Sequence, residues 1–170
     1  MKTPSFVLSL ALAIASASAQ VPADSKIEGA FGKKLGDAVV VGAERLVRGP
    51  EGLQYIVTFS PAEGYPGLDR FAISVTAYSH VVFKVEASGT LPTPAAVENL
   101  RRTLELKYGP FVRLSDDGAT VRWKFTDGLR SIVMRVTDGQ VSVIYIDDSL
   151  AATARIESTT GAPAADGKGL

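Results

Sequence analysis

The strongest constraint on the fold lies between residues 111 and 148, where short alternating apolar runs are separated by Asp-Gly pairs. These pairs fall at residues 117–118, 127–128 and 138–139. Asp-Gly between alternating runs is typical of a β-hairpin, because both residues accept the positive φ of a type I′ turn. The segment therefore predicts an up-and-down antiparallel meander of four strands, over residues 111–115, 119–126, 129–137 and 140–147.

The alternation also assigns side chains to the two faces of this meander. One face is predicted to be apolar and to carry Val121, Trp123, Phe125, Ile132, Met134, Val136, Val141, Val143 and Tyr145. The last strand has Ile144 and Ile146 on its other side as well. We therefore expect that strand to be central in the sheet or covered on both faces.

Three further strands are predicted earlier in the chain, where apolar residues again alternate. They cover residues 55–59, 71–77 and 81–87, and the third should place Val81, Phe83, Val85 and Ala87 on one face. Residues 60–67, which read SPAEGYPG, are expected to form a loop between the first two strands.

One helix is predicted between the two groups of strands. Thr93 is a suitable N-cap and Pro94 suits the first helical position. Val97, Leu100, Leu104 and Tyr108 recur at helical spacing, and Gly109-Pro110 is a strong stop signal. A second, short helix is predicted over residues 149–157, capped by Asp147 or Asp148.

Strands grouped around one long helix predict an α+β domain, in which an antiparallel β-meander sheet has one main α-helix packed on one face. The chain shows no alternation of single strands with helices. A Rossmann-type nucleotide-binding fold is therefore not expected.

The beginning of the chain has the features of a secretory signal peptide. Lys2 precedes an apolar run of about ten residues, and Ala17-Ser18-Ala19 follows it. We predict a signal peptide over residues 1–19 with cleavage between Ala19 and Gln20, a single domain over residues 27–157, and a disordered tail over residues 158–170. The mature chain is expected to lie in the periplasm or to be secreted, without a transmembrane segment.

Composition narrows the classes of function. The chain contains 18 basic and 18 acidic residues, so no global field favours nucleic acid as a partner. It contains no cysteine, which excludes disulfides, thiol catalysis and thiolate metal sites.

The segment GAFGKKLGD, residues 29–37, resembles a phosphate-binding loop at first sight. The Walker A pattern would require glycine at Ile27 and serine or threonine at Lys34, and the dinucleotide fingerprint requires a different glycine spacing. We therefore interpret the glycines as turn residues, and we expect no cofactor. Lys33 and Lys34 remain candidate contacts for an anionic partner.

Catalytic signatures are sparse. His80 is the only histidine, so a multi-histidine metal site is impossible and any Ser-His-Asp triad must use it. Ser79 is adjacent, but neighbouring side chains on extended backbone point to opposite faces. The pairs Asp116-Asp117 and Asp147-Asp148 are typical of turns and caps. We assign no catalytic residue and no metal ligand.

Basic residues on the polar side of the predicted sheet are the main candidates for binding. Arg122 and Lys124 alternate with core residues, and Arg135 should lie beside them, with Lys84 and Arg113 as candidates to join. Such a face suits an anionic partner, although basic residues also protect ordinary sheet edges from aggregation. Tyr65, in the loop over residues 60–67, is a second candidate contact, unless that loop is a plain connection.

The order of these features resembles that of small exported α+β proteins of Gram-negative bacteria. It rests on the opening FGKKLG at residues 31–36, the stretch FAISVTAYSHVVFKVEASG, a helix that ends in Lys107-Tyr108-Gly109, and the strand meander after it. The resemblance covers residues 27–150 and implies a periplasmic location and an α+β fold. It supplies no site residues.

Together these observations predict a non-catalytic binding module, periplasmic or secreted, that contacts a protein or an anionic envelope polymer. An inhibitor or immunity protein would belong to the same class. The alternatives are an envelope hydrolase that uses His80 or a carboxylate, and a structural role in envelope assembly.

Overall fold

The computed structural model describes residues 25–116 and 119–162, without the side chain of Asp116. The described chain is mostly antiparallel β-sheet, with an eight-stranded sheet, a separate two-stranded hairpin and two α-helices. This is a mixed α+β architecture. The predicted signal peptide over residues 1–19 and the end of the predicted tail, residues 163–170, lie outside the described residues.

The strands and helices follow one another in two similar series. The first contains β3 (Leu46–Gly49), β4 (Gly52–Thr58), β5 (Leu68–Thr76), β6 (Val82–Thr90) and α1 (Pro94–Tyr108). The second contains β7 (Val112–Asp116), β8 (Thr120–Asp127), β9 (Arg130–Thr137), β10 (Gln140–Asp147) and α2 (Asp148–Thr160). The hairpin of β1 (Gly29–Ala30) and β2 (Lys33–Lys34) precedes both.

The sheet order is β3-β4-β5-β6-β10-β9-β8-β7, so two antiparallel meanders join through β6 and β10. In the second meander Trp123 lies opposite Met134, and Met134 lies opposite Val143. The predicted apolar face is therefore confirmed. The central position of β10, between β6 and β9, explains why its two faces are both apolar.

The three Asp-Gly pairs have different outcomes. Asp138 and Gly139 both have positive φ, of 49° and 76°, as the predicted type I′ turn requires. At the second pair Asp127 is already paired with Arg130, so the turn residues are Gly128 and Leu129 and the predicted register is wrong by one residue. Gly128 alone has positive φ there, which is typical of a type II′ turn. The pair at 117–118 lies outside the described residues.

The predicted common face of β6 is wrong at Phe83. The pairing with β5 shifts between Ser74–Lys84 and Val75–Val82, so one extra residue enters β6 at this point. Such a bulge reverses the alternation. Val82 and Val85 pack in the large core, whereas the fully buried Phe83 packs on the other side of the sheet.

The large hydrophobic core lies on one side of the sheet, which we call the core face. It is covered by Leu100, Leu104 and Tyr108 of α1 and by Ile27, Phe31 and Leu35 of the N-terminal segment. Seven aromatic rings form a continuous chain through it, in the order Phe59, Phe71, Phe31, Tyr145, Tyr108, Phe125, Phe111. Burial, with a smaller contribution from Tyr108, raises the pKa of Tyr145 well above its usual range.

Helix α1 has the termini that its sequence predicts. The Thr93 hydroxyl accepts a hydrogen bond from Ala96 N at 3.2 Å, and Gly109 N donates to the carbonyl oxygen of Glu105 at 2.9 Å. On its solvent side Glu98 forms ion pairs with Arg101 at 2.7 Å and Arg102 at 2.9 Å. Local signals are enough to define this helix.

Helix α2 covers part of the opposite side of the sheet, which we call the outer face. Ala151 and Ala154 pack on Phe83, and the helix approaches β4 so closely that a Cβ on Gly52 would lie 2.6 Å from Ser158 Oγ. The expectation of one main helix is therefore incomplete. With 13 residues α2 is nearly as long as α1, and it continues beyond the predicted domain boundary at residue 157.

Two carboxylates fix the ends of α2. Asp147, one of the two predicted candidates, is the N-cap, and its Oδ1 accepts hydrogen bonds from the backbone nitrogens of Ser149 and Leu150, both at 3.1 Å. Near the other end Glu157 is fully buried, and its carboxylate accepts hydrogen bonds from Tyr78 N at 2.8 Å and Ser79 N at 3.2 Å. The helix is thus held to the turn between β5 and β6.

The glycine-rich segment is the β1–β2 hairpin. Phe31 and Gly32 both have positive φ, 54° and 76°, and the Phe31 ring enters the core. A Cβ on Gly29 would lie 2.1 Å from the carbonyl oxygen of Lys33, so only glycine fits there. Lys33 Nζ lies 5.2 Å from the centre of the Phe59 ring, within cation–π range. The segment therefore forms a tight turn, and its Phe31 side chain covers part of the large core.

In the part of the chain that the structure describes, no helix combines the length and the apolar character that crossing a membrane requires.

Candidate functional site

A row of polar side chains crosses five strands on the outer face. Paired residues of neighbouring strands point to the same side of a sheet, and the pairing runs Arg122–Arg135, Arg135–Ser142, Ser142–Ser88 and Ser88–Arg70. We call these five residues the basic row. It joins two of the predicted binding residues, Arg122 and Arg135, with Arg70, which was not among the predicted binding residues.

The charges of Arg122 and Arg135, at one end of the basic row, are not neutralised by acidic side chains of the described residues. Arg122 and Arg135 are both exposed and directly opposite each other, and neither side chain forms an ion pair or hydrogen bond within the described residues. Like charges directly opposite in a sheet reduce stability. Repulsion between Arg122 and Arg135 therefore lowers the stability of the fold, and no acidic side chain of the described residues offsets it.

Lys124 adds a further cation next to the row. It lies opposite Val112 on one side and Val133 on the other, so its side chain shares the outer face with Arg122. It is half-buried and has no ion-pair partner in the described part of the chain. Arg122, Lys124 and Arg135 therefore form one contiguous cationic area, as their alternation predicted.

The other two basic candidates lie elsewhere. Lys84 is on the outer face, but its Nζ lies 3.6 Å from Glu51 Oε2, and both side chains are only 14% exposed. This ion pair sits at the end of the sheet where α2 packs, away from the basic row. Arg113 lies opposite Trp123 and so belongs to the core side of edge strand β7.

Arg70 reaches the site from the opposite half of the sheet. Its guanidinium donates a hydrogen bond to Gln140 Oε1 at 3.2 Å, and Gln140 Nε2 donates to Thr90 Oγ1 at 2.7 Å. Asp69 approaches Arg70 at 3.7 Å, but both side chains are largely exposed, so this pair is weak. The hydrogen bonds hold the Gln140 amide in a fixed orientation across β5 and β10.

Two adjoining open grooves follow the row. One, of about 530 Å³, extends from Thr58 and Ser60 to Arg70, and the other, of about 390 Å³, extends from Arg70 to Arg135. Arg70, Glu86 and Ser88 line both of them. The outer face thus has a continuous trough over β5, β6, β10 and β9, on the part of the sheet that α2 leaves open.

The floor of the trough contains a buried hydroxyl without a partner. Ser142 is 7% exposed, and its Oγ makes no hydrogen bond within the described residues. Buried polar atoms in proteins are nearly always hydrogen-bonded. Ser142 lies between Arg135 and Ser88, so the unpaired hydroxyl is at the centre of the basic row.

Tyr65 does not belong to this surface. Its side chain is half-buried against the large core, and its carbonyl oxygen accepts a hydrogen bond from Leu68 N at 3.0 Å. The loop over residues 60–67 reaches the trough only through Ser60. The structure therefore does not bring Tyr65 together with the basic residues.

His80 and Ser79 contact different groups. The His80 ring packs edge-on against Tyr55, 5.5 Å between ring centres, whereas the Ser79 hydroxyl donates a hydrogen bond to the Glu157 carboxylate. The Thr76 hydroxyl, 2.7 Å from Ser79 Oγ, must then be the donor to it, because Ser79 has already used its only hydrogen. These hydrogen bonds among Thr76, Ser79 and Glu157 stabilise the turn between β5 and β6.

Acidic and histidine residues form no cluster of three or more that would hold a metal ion, as far as the described residues extend. Of the predicted carboxylate pairs, Asp147 caps α2 and its Oδ2 accepts a hydrogen bond from Arg130 Nε at 2.9 Å. Asp117 lies outside the described residues. The basic row with its trough is therefore the candidate site.

Comparison with known proteins finds no family model, no curated protein and no solved structure that matches this chain.

Proposed function

We propose that this chain is an exported, non-catalytic binding module that holds an anionic partner on the open part of its outer face. The partner is an envelope polymer or an acidic protein surface. The observation that carries the proposal is the directly opposed, unneutralised pair Arg122–Arg135. An anionic ligand between the two guanidinium groups would remove their repulsion and gain charge-assisted hydrogen bonds.

The surroundings of the pair support the same interpretation. Lys124 adds a cation beside Arg122, Arg70 adds one within the trough, and α2 leaves this part of the sheet uncovered. A long open trough suits an extended partner better than a small substrate, since small-molecule sites are usually concave and enclosed. The proposed export rests on the features of residues 1–19 and on the resemblance to small exported proteins of Gram-negative bacteria.

An envelope hydrolase has less support. Its best candidates, His80 and Ser79, contact different groups, and the Ser79 hydroxyl is already a donor to Glu157. A screen with esterase, peptidase and muramidase substrates would detect such an activity. Reproducible turnover that disappears in His80→Ala would contradict the non-catalytic proposal.

Affinity capture from envelope extract tests the proposal directly. We expect the chain without residues 1–19 to retain a partner that Arg122→Glu/Arg135→Glu fails to retain. Arg48→Glu is the matched control, because Arg48 is an exposed arginine on β3 at the far edge of the sheet. Equal capture by the double variant, with unchanged circular dichroism, would show that the basic row is not the binding surface.

A further inference from the structure

The spacing of the basic row specifies the shape of its ligand. Arg135 on β9 and Arg70 on β5 are separated by three strand-to-strand steps. Neighbouring strands lie about 4.8 Å apart, so the two arginine backbones are about 14 Å apart across the trough. This separation allows each guanidinium group to bind an acid group of its own. The row therefore suits an extended ligand with several separated acid groups.

The groups between the two arginines are suited to hydroxyl groups. Ser88 and Ser142 contribute hydroxyls, and Gln140 contributes an amide that Arg70 and Thr90 hold in place. The unpaired Ser142 Oγ lacks a partner that a ligand hydroxyl would supply. Arg135, which lies opposite Ser142, is exposed and long enough to move aside.

Glu86 distinguishes between two kinds of anionic ligand. It lines both grooves of the trough, as Arg70 does, and forms no ion pair within the described residues. Its carboxylate repels a densely acidic peptide, whereas it accepts hydrogen bonds from sugar hydroxyls. The trough thus combines separated cations with hydrogen-bonding groups, which suits a ligand that carries hydroxyl groups between its acid groups.

We infer that the anionic partner is an acidic polysaccharide that lies across β5, β6, β10 and β9. Its acid groups contact Arg70 and Arg135, with Arg122 beyond them, and its hydroxyl groups bond Ser142, Ser88 and Glu86. This inference rests on the proposed function, since it assigns a chemical class to the partner held at the same face.

Calorimetric titration with oligogalacturonate long enough to span the row tests the inference. The comparison probes are a neutral malto-oligosaccharide of equal length and polyglutamate of equal charge. We expect oligogalacturonate to bind most tightly. Arg135→Ala should weaken its binding at least about tenfold, and Ser142→Ala about fivefold, as expected for the loss of one charge-assisted and one neutral hydrogen bond.

Ser131→Ala is the matched control for Ser142→Ala. Ser131 is also buried on the outer face of the sheet with an unpaired hydroxyl, but it does not line the trough. Its replacement should leave the affinity unchanged. A Ser142→Ala affinity equal to wild type, or a loss equal to that of Ser131→Ala, would contradict a ligand contact at Ser142.

The outcomes separate this inference from the proposed function. In one outcome, polyglutamate binds as tightly as oligogalacturonate, Arg135→Ala weakens the binding of both, and Ser142→Ala has no effect. That outcome would contradict a polysaccharide partner but would still support an anion-binding outer face. Equal binding of the neutral oligosaccharide, or anion binding that Arg135→Ala does not change, would overturn both.

Discussion

Loss of Glu157 should strongly destabilise this fold, although the residue lies close to the end of the described chain. Its carboxylate accepts hydrogen bonds from two backbone nitrogens, Tyr78 and Ser79, and from the Ser79 hydroxyl. It is fully buried, so in the native fold these donors are paired with the carboxylate rather than with water. Glu157→Ala would therefore leave the β5–β6 turn with orphaned donors beneath α2.

The size of the effect follows from the number of orphaned donors. Each buried donor without a partner costs about 1–3 kcal/mol, and the Ser79 hydroxyl can rotate to another acceptor while the two backbone nitrogens cannot. We therefore expect Glu157→Ala to lower the free energy of unfolding by about 4 kcal/mol. Domains of ordinary stability have about 5–15 kcal/mol in total, so this loss is a large fraction. Glu157→Gln, which keeps one acceptor oxygen, should lose about half as much.

Urea denaturation measures these losses, with Trp123, the only tryptophan, as the fluorescent probe and circular dichroism as the second. Ile156→Ala is the control, because Ile156 is the neighbouring residue of α2 and is 52% exposed. It should change the free energy of unfolding by less than about 0.5 kcal/mol. A Glu157→Ala variant within about 1 kcal/mol of wild type would refute the anchoring role of this carboxylate.

Three further predictions concern other contacts. Arg135→Glu should raise the free energy of unfolding by about 0.5–2 kcal/mol in low salt, because it places an opposite charge across from Arg122. Urea denaturation in high salt should show a smaller gain, since salt screens the interaction. Arg130→Met should release the N-terminal segment, because the Arg130 side chain donates hydrogen bonds to Ile27 O at 2.8 Å and to Asp147 at 2.9 Å. Trypsin should then cleave this variant after Lys33 or Lys34 faster than it cleaves the control Arg155→Met. Equal cleavage rates would contradict the prediction. Hydrogen bonds from Arg101, and then from Arg102, lower the pKa of Glu98 to about 2. The contribution of Glu98 to stability is therefore present above its unfolded-state pKa, near 4.5, and is lost as the pH falls toward 2. A Glu98 pKa near 4.5 in an NMR titration of the folded protein would contradict the ion pairs.

The parts of the fold that the sequence predicts are those with strong local signals. The cap at Thr93, the stop at Gly109 and the alternation from Val121 to Tyr145 need no information from distant residues. The parts that it misses depend on tertiary contacts. Strand β3 has only four residues and forms by pairing with β4, and the length of α2 depends on Glu157 contacting a turn 78 residues away.

The candidate site divides in the same way. Arg122 and Arg135 were predictable on the same face of neighbouring strands from their alternation, but their direct pairing follows from a turn that lies one residue later than predicted. Arg70 was not, because its position beside Gln140 depends on the pairing of β6 with β10, which joins the two meanders. Lys84 was assigned to the right face, but the helix above it and Glu51 beside it could not be read from alternation.

The salt dependence of binding is the most direct test of an anionic partner on the basic row. Polygalacturonate and polyglutamate serve as probes, so the result does not depend on the chemical class of the partner. Raising the salt concentration from about 0.1 M to about 1 M shortens the Debye length from about 10 Å to about 3 Å. We predict that the wild-type affinity for at least one probe falls at least about tenfold, and that Arg122→Ala/Arg135→Ala binds weakly at both concentrations. A wild-type affinity independent of salt, or a double variant that binds like wild type, would contradict the account.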